Sequence, residues 1–217
     1  MIFKIEEPIK NIFHLNFDKK KDLCETFMRF QEHFESPEYR GKFFSIKEYK
    51  AWYRKTSPKG KKTGRFTYNQ DWSGFNIPSY ILEPFKEGKF NPLSKKEKIF
   101  LKEFGNIEGK FYIIGTYGST NLDTLDHDIA HALFYTDPVY NKKMKKLVAS
   151  IPAKDLKKIH DHLGSSGGYH EDVFEDETHA YITINMPYME KKHGITSEEL
   201  WSVHKKMQKV FQKHSKS

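Results

Sequence analysis

Two histidines one helical turn apart are the residues best placed to do chemistry. His127 and His131 lie in the stretch Leu122–Thr136, whose apolar residues recur with helical spacing. At this spacing both imidazoles leave the same helix face, close enough to bind one metal ion. Asp128 would flank that ion, where its carboxylate could accept a proton from a water molecule acidified by the metal. The pattern predicts a metal centre with an adjacent general base.

The same spacing also arises without a metal. The chain has 11 histidines, and two of them on one helix can simply be buried, hydrogen-bonded core groups. Two neighbouring segments favour the metal. Phe111–Tyr117, rich in β-formers, precedes the helix through a turn at Gly118, Ser119 and Asn121, and the acid-rich Glu175–Tyr181 follows downstream.

The stretch Asp126–Tyr135 resembles the active-site helix of the zincin superfamily of zinc metallopeptidases. Asp128 stands where their His-Glu-x-x-His motif has glutamate, and aspartate is one methylene shorter. The resemblance implies one zinc ion per chain and hydrolysis of a peptide or protein substrate. It also implies that Phe111–Tyr117 is the edge strand, next to the metal helix, that binds an extended substrate.

The third ligand is implied by a second part of this resemblance. Glu175–Tyr181 is similar to the acid-rich helix that supplies a glutamate ligand in gluzincins, which makes Glu177 the third ligand here. Tyr181, one turn further on, would then contact the ligands or polarise a substrate carbonyl.

Other third ligands stay open. Asp137 occupies the position used by metzincins, although Phe134 stands where their motif has glycine and Asp137-Pro138 is also a typical helix start. The remaining candidates are His170, Asp176 and His179. Asp123, one turn before His127, is a candidate hydrogen-bond partner for that ring.

Two other classes of protein are alternatives. The His127-Asp128 pair also resembles that of HD-type metal-dependent phosphohydrolases, which would add Asp128 and a histidine from the N-terminal half to the ligands. A non-catalytic nucleic-acid-binding protein is the second alternative, because the basic segment Lys59–Arg65 is followed by Phe66, Tyr68 and Trp72. The same aromatic residues also suit an ordinary half-buried strand.

Composition limits the broad class. Of 217 residues, 37% are hydrophobic and 30% charged, as in a folded globular protein. The single cysteine, Cys24, excludes an internal disulfide and a cysteine-rich zinc site. The net charge of +8 suits polyanions in general, but the lysines are spread along the chain. Apolar runs are too short to span a bilayer, and two glutamates near the N-terminus interrupt any export signal, so we expect a cytoplasmic protein without a membrane partner.

The elements that must position these residues are mostly helices. Capping boxes at Ser45-x-x-Glu48 and Ser94-x-x-Glu97 begin two of them, and Pro58–Gly64 reads as a basic turn. His170–Asn185 suits either a strand or a helix. One or two short strands are predicted within residues 2–17, and residues 72–78 suit either a loop or a strand. The other predicted helices are Lys20–Phe34, Leu122–Thr136, one beginning at Pro138, Pro152–Leu163 and Ser197–His214.

These elements predict an α+β fold, mostly helical with a small sheet. We expect one domain over residues 1–217. Within it, an N-terminal part of unknown type, 1–108, would pack on a zincin-like metal-binding part, 109–217.

Overall fold

The computed structural model describes residues 2–119, 122–167, 169–195 and 197–216, with only the backbone at 122, 123, 166 and 167. The described chain is α+β, with a small sheet among many helices. The strands are β1 (Phe3–Ile9), β2 (Ile12–Phe17), β3 (Phe75–Pro78) and β4 (Tyr112–Tyr117). The helices are α1 (Lys20–Glu35), α2 (Ile46–Thr56), α3 (Pro58–Thr63), α4 (Tyr68–Asp71), α5 (Glu83–Lys86), α6 (Lys95–Phe104), α7 (Leu122–Thr136), α8 (Pro138–Val148), α9 (Ala153–His162), α10 (Phe174–Ile184), α11 (Met186–His193) and α12 (Glu198–His214). No helix in these ranges is both long and apolar enough to cross a membrane.

The sheet has the order β1-β2-β4-β3, so the strand before α7 lies inside it. β4 pairs in parallel with β2 and antiparallel with β3. The prediction that this strand forms an edge of the sheet is therefore wrong. The physical reason is visible in Phe111–Ile114, because a continuous apolar run is typical of a strand that is buried on both faces.

Each face of the sheet packs on a separate apolar core. Ile113 of β4 belongs to a core built mainly with α1, α2 and α6. Its neighbours Tyr112 and Ile114 point to the other face, into a core built with the helices from α7 onward. The sheet therefore lies between N-terminal and C-terminal helices, and α7 is held against the face that carries Tyr112.

A glycine lets α1 approach the sheet closely. A Cβ atom on Gly115 of β4 would lie 2.5 Å from the Phe27 ring and 2.8 Å from Leu23, which is closer than side chains can pack. Without a side chain at this position, α1 lies directly on β4. This contact brings the C-terminal end of α1 near the residues that precede β3.

Most predicted elements are confirmed. Both capping boxes form at the starts of α2 and α6, and Asp137 caps α8 by accepting from Val139 and Tyr140 backbone N–H groups. The basic turn at Pro58–Gly64 is instead the short helix α3, which ends at the left-handed Gly64. The ambiguous His170–Asn185 segment contains the helix α10, and Asn121, placed in a turn from the sequence, lies outside the described residues.

Candidate metal centre

The site lies between two helices that pack against each other, α7 and α10. His127 and His131 leave α7 on one face, as their spacing predicts. On α10, Glu177 and Tyr181 are one turn apart, and Asn185 ends the helix one turn later. All three contact or approach the histidine rings, so α10 presents a polar stripe to the histidine pair.

Three side chains from these helices bring atoms that could bind a metal ion close together. Nε2 of His127 and Nε2 of His131 lie 3.1 Å apart. The Glu177 carboxylate lies 3.9 Å from the first of these nitrogens and 3.6 Å from the second. Ligands about 2.0–2.2 Å from a tetrahedral zinc ion lie roughly 3.3–3.5 Å from one another. The three side chains therefore fit one zinc ion with only small movements.

The other nitrogen of each ring is already hydrogen-bonded. Nδ1 of His127 donates to Oδ1 of Asn185 at 2.6 Å, and Nδ1 of His131 donates to Oδ1 of Asp176 at 2.9 Å. Such contacts fix the orientation of metal-binding histidines and leave Nε2 as the ligand atom. The rings are thus held in the orientation that a metal site needs.

The two histidines carry different charges. Burial opposes a charge on His131, but the nearby Asp176 and Glu177 carboxylates outweigh it and raise its pKa to about 10. Burial and the charge on His131 lower the pKa of His127 to about 3. The His131 ring therefore donates its Nε2 proton to the neutral His127 ring. A metal ion bound by both Nε2 atoms would displace this proton.

The carboxylates of the site are held away from water. Burial raises the pKa of Asp128 to about 7 and raises that of Glu177 well above its usual range. One oxygen of each, Oδ2 of Asp128 and Oε2 of Glu177, is buried without a hydrogen-bond partner. Unpaired buried acceptors are costly, so both atoms call for a bound cation or donor.

Asp128 is oriented by a chain of hydrogen bonds from the sheet. Its Oδ1 accepts from the Asn76 side-chain amide at 3.1 Å, and Asn76 in turn accepts from the Tyr112 hydroxyl at 2.6 Å. The free Oδ2 faces Gly74, where an added Cβ would lie 3.9 Å away. Neighbouring strands β3 and β4 thus fix the proposed general base.

A cleft of about 360 Å³ lies over these groups. Its wall includes His127, Asp128, His131, Glu177 and Tyr181, which are the five site residues expected from the sequence. The remaining lining residues are Gln31, Glu32, Glu35, Tyr68, Asp71, Trp72, Ser73, Gly74, Phe75, Asn76, Thr124 and Tyr169. Clefts of about 450 and 660 Å³ occur elsewhere, but neither is lined by the histidine pair.

The other candidate third ligands have different contacts. Asp137 caps α8 and accepts from His214 at 2.6 Å. His170 accepts from the backbone N–H of Asp172. Asp176 and His179 form a second group of possible ligand atoms with His131. Asp176 contacts Nδ1 of His131 rather than Nε2, and His179 accepts from the Tyr140 hydroxyl. The Asp123 side chain lies outside the described residues.

The geometry does not favour either alternative class. Among the described residues, two groups of three donors lie within 4.8 Å of one another, and neither includes Asp128 or a histidine from the N-terminal half. Of the aromatic residues after the basic segment, Tyr68 is fully buried and stacks on the partly buried Phe66, whereas Trp72 is exposed. They lie in a loop and the short helix α4 rather than in a strand.

Several residues of the site carry no local sequence signal. Nothing in the local sequence marks Asn185 and Asn76 as site residues, because only the fold places them beside His127 and Asp128. Glu32 and Glu35 lie beside the apolar stripe of α1, a position typical of solvated charges. Only the contact between α1 and the sheet places them in the cleft.

Comparisons of the chain with protein-family models, with curated proteins and with solved structures returned no match.

Proposed function

We propose that this chain is a zincin-like, zinc-dependent hydrolase that cleaves a peptide or a related amide. The observation that carries the proposal is the convergence of His127, His131 and Glu177 from two helices onto one cleft. Both histidines have Nδ1 hydrogen-bonded, which leaves Nε2 of each ring as the atom that would bind the metal. The donor set of two imidazoles and one carboxylate is typical of catalytic zinc.

Asp128 acts as the general base. When bound, zinc supplies Lewis acidity that polarises a carbonyl and makes water a stronger acid. Oδ2 of Asp128 is buried, unpaired and directed into the cleft, so it accepts a proton from the attacking water. A pKa of about 7 suits a group that takes up a proton and releases it near neutral pH. Asn76 holds the other oxygen and fixes the direction of the acceptor.

Tyr181 acts as a hydrogen-bond donor to the substrate carbonyl. Its ring packs edge-on against the His127 ring, with centroids 5.0 Å apart. Burial and the Glu177 carboxylate raise its pKa to about 12, so the hydroxyl keeps its proton. A positioned donor of this kind stabilises the charge that develops on the oxygen during amide hydrolysis.

The test is hydrolysis of a mixture of unstructured peptides by zinc-loaded protein that lacks a histidine tag, followed by mass spectrometry. We expect cleavage that a chelator abolishes and zinc restores. Asp128→Asn should remove cleavage and keep zinc, whereas Asp18→Asn, at an exposed position, should change neither. Absence of cleavage by protein holding one zinc ion would contradict the hydrolase and leave the metal centre standing.

A further inference from the structure

Helix α1 contributes two carboxylates to the cleft that amide hydrolysis does not require. Glu32 and Glu35 are three residues apart and both line the cleft, since this spacing brings side chains to one helix face. Arg29 of the same helix is turned elsewhere, into a buried ion pair with Glu97. The α1 wall of the cleft is therefore acidic and has no basic side chain of its own.

The whole cleft has this acidic character, although the protein carries a net charge of +8. None of its described lining residues is lysine or arginine. Of the acidic ones, Asp71 is paired with Lys59 at 2.7 Å, which leaves Glu32, Glu35, Asp128 and Glu177. One divalent ion brings two positive charges to these four carboxylates. A further cation among them is favourable, because a nearby positive charge stabilises the ionised form of carboxyl groups that burial makes costly to ionise.

Two other observations point to a bound cation. Oδ2 of Asp128 and Oε2 of Glu177 belong to residues that are only 5% and 4% exposed, and neither atom has a hydrogen-bond partner. The cleft therefore holds more buried acceptors than its own donors satisfy. Five aromatic residues also line the cleft, Tyr68, Trp72, Phe75, Tyr169 and Tyr181, and aromatic faces attract ammonium groups.

We infer that the cleft selects a substrate that carries a protonated amino group, bound by Glu32 and Glu35 beside the metal ligands. The inference rests on the proposed hydrolase function, and it names the class of substrate. A primary ammonium brings three N–H donors to a surface of acceptors. The aromatic wall accommodates the apolar part next to that amino group.

The experiment compares phenethylamine with its neutral counterpart 2-phenylethanol by titration calorimetry, on both zinc-loaded and zinc-free protein. We expect the amine to bind at least about tenfold more tightly, as charge-assisted hydrogen bonds contribute. Changing both Glu32→Gln and Glu35→Gln should remove this preference. Glu38→Gln, close in sequence but exposed and outside the cleft, should keep it, and circular dichroism checks that each variant is folded.

Equal affinity for the two compounds, or a preference that survives in the double variant, would overturn the inference. So would native mass spectrometry that finds a second zinc ion lost in the double variant, because the carboxylates would then be metal ligands. The zinc content from these spectra and the amine preference from calorimetry together separate the two proposals. One zinc without an amine preference contradicts only the substrate class, whereas an amine preference without zinc contradicts only the hydrolase.

Discussion

Asp176 accepts a hydrogen bond from Nδ1 of His131 at 2.9 Å, and this contact decides which nitrogen of the ring faces the cleft. The next residue of α10, Glu177, approaches the opposite nitrogen of the same ring at 3.6 Å. Two adjacent carboxylates thus hold both ends of one imidazole. Asp176 orients the ring, and Glu177 lies where it could bind a metal ion together with Nε2 of His131.

Removing the orienting carboxylate should weaken the metal site without abolishing it. We expect Asp176→Asn to bind zinc about 10–100-fold more weakly, with one ion still bound per chain. This is the loss that is typical when a group that orients a metal-binding histidine is mutated. Competition with a chromophoric chelator measures the affinity. Asp172→Asn, with an exposed side chain, should bind like the unchanged protein. An affinity for Asp176→Asn equal to that of the unchanged protein would mean that the contact does not prepare the site.

Lengthening Asp128, the proposed general base, should lower the proposed hydrolytic activity. Asp128 is buried, its Oδ1 is held by Asn76, and its Oδ2 faces Gly74. In Asp128→Glu the extra methylene breaks this alignment, so we expect kcat to fall by up to about 10²-fold, within the range that general bases contribute. Steady-state kinetics at equal zinc content measures it. Higher activity would show that aspartate is too short for its water, and equal activity would place the residue outside the chemistry.

Glu32 should make stability depend on pH. Burial raises its pKa to about 7 from a usual 4.5, so between these values the folded protein retains a proton that the unfolded chain has lost. Stability therefore falls as pH rises through this window and stays reduced above it. We expect Glu32→Gln to avoid up to about 3 kcal/mol of this loss.

Urea unfolding of zinc-free protein at pH 5 and pH 8 tests this expectation. The free energy of unfolding of Glu32→Gln, relative to the unchanged protein, should be higher at pH 8 than at pH 5. The exposed Glu38→Gln serves as the control and should show no such gain. A gain of equal size in both variants, or in neither, would contradict a buried, protonated Glu32.

Local signals predicted helix α7 well. The bounds of α7 and the start of α8 follow from apolar spacing and from the Asp137-Pro138 cap, which depend only on neighbouring residues. Glu177 was expected only through a resemblance, because nothing in its own segment distinguishes a ligand from a solvated acid. The sequence of His170–Asn185 is compatible with a strand or a helix, and in the structure it forms helix α10, which packs on α7.

Long-range contacts were beyond the sequence. The strand before α7 is interior because β3 and β2 pair on either side of it, and no spacing within Phe111–Tyr117 reveals its partners. The two edge strands are β1 and β3. The outer side of β3 is partly covered, since the Asn76 backbone N–H donates to the Gln31 side chain at 3.2 Å. The same α1 contact that covers β3 brings Glu32 and Glu35 into the cleft.

The most direct test of the central claim is the zinc stoichiometry of protein that lacks a histidine tag, measured by native mass spectrometry after zinc loading and desalting. We expect one ion per chain in the unchanged protein and none in His127→Ala. The control His170→Ala should keep one ion, because His170 accepts from the Asp172 backbone N–H and is not one of the three proposed ligands. Full occupancy in His127→Ala, or no ion in the unchanged protein, would contradict a metal centre at His127, His131 and Glu177.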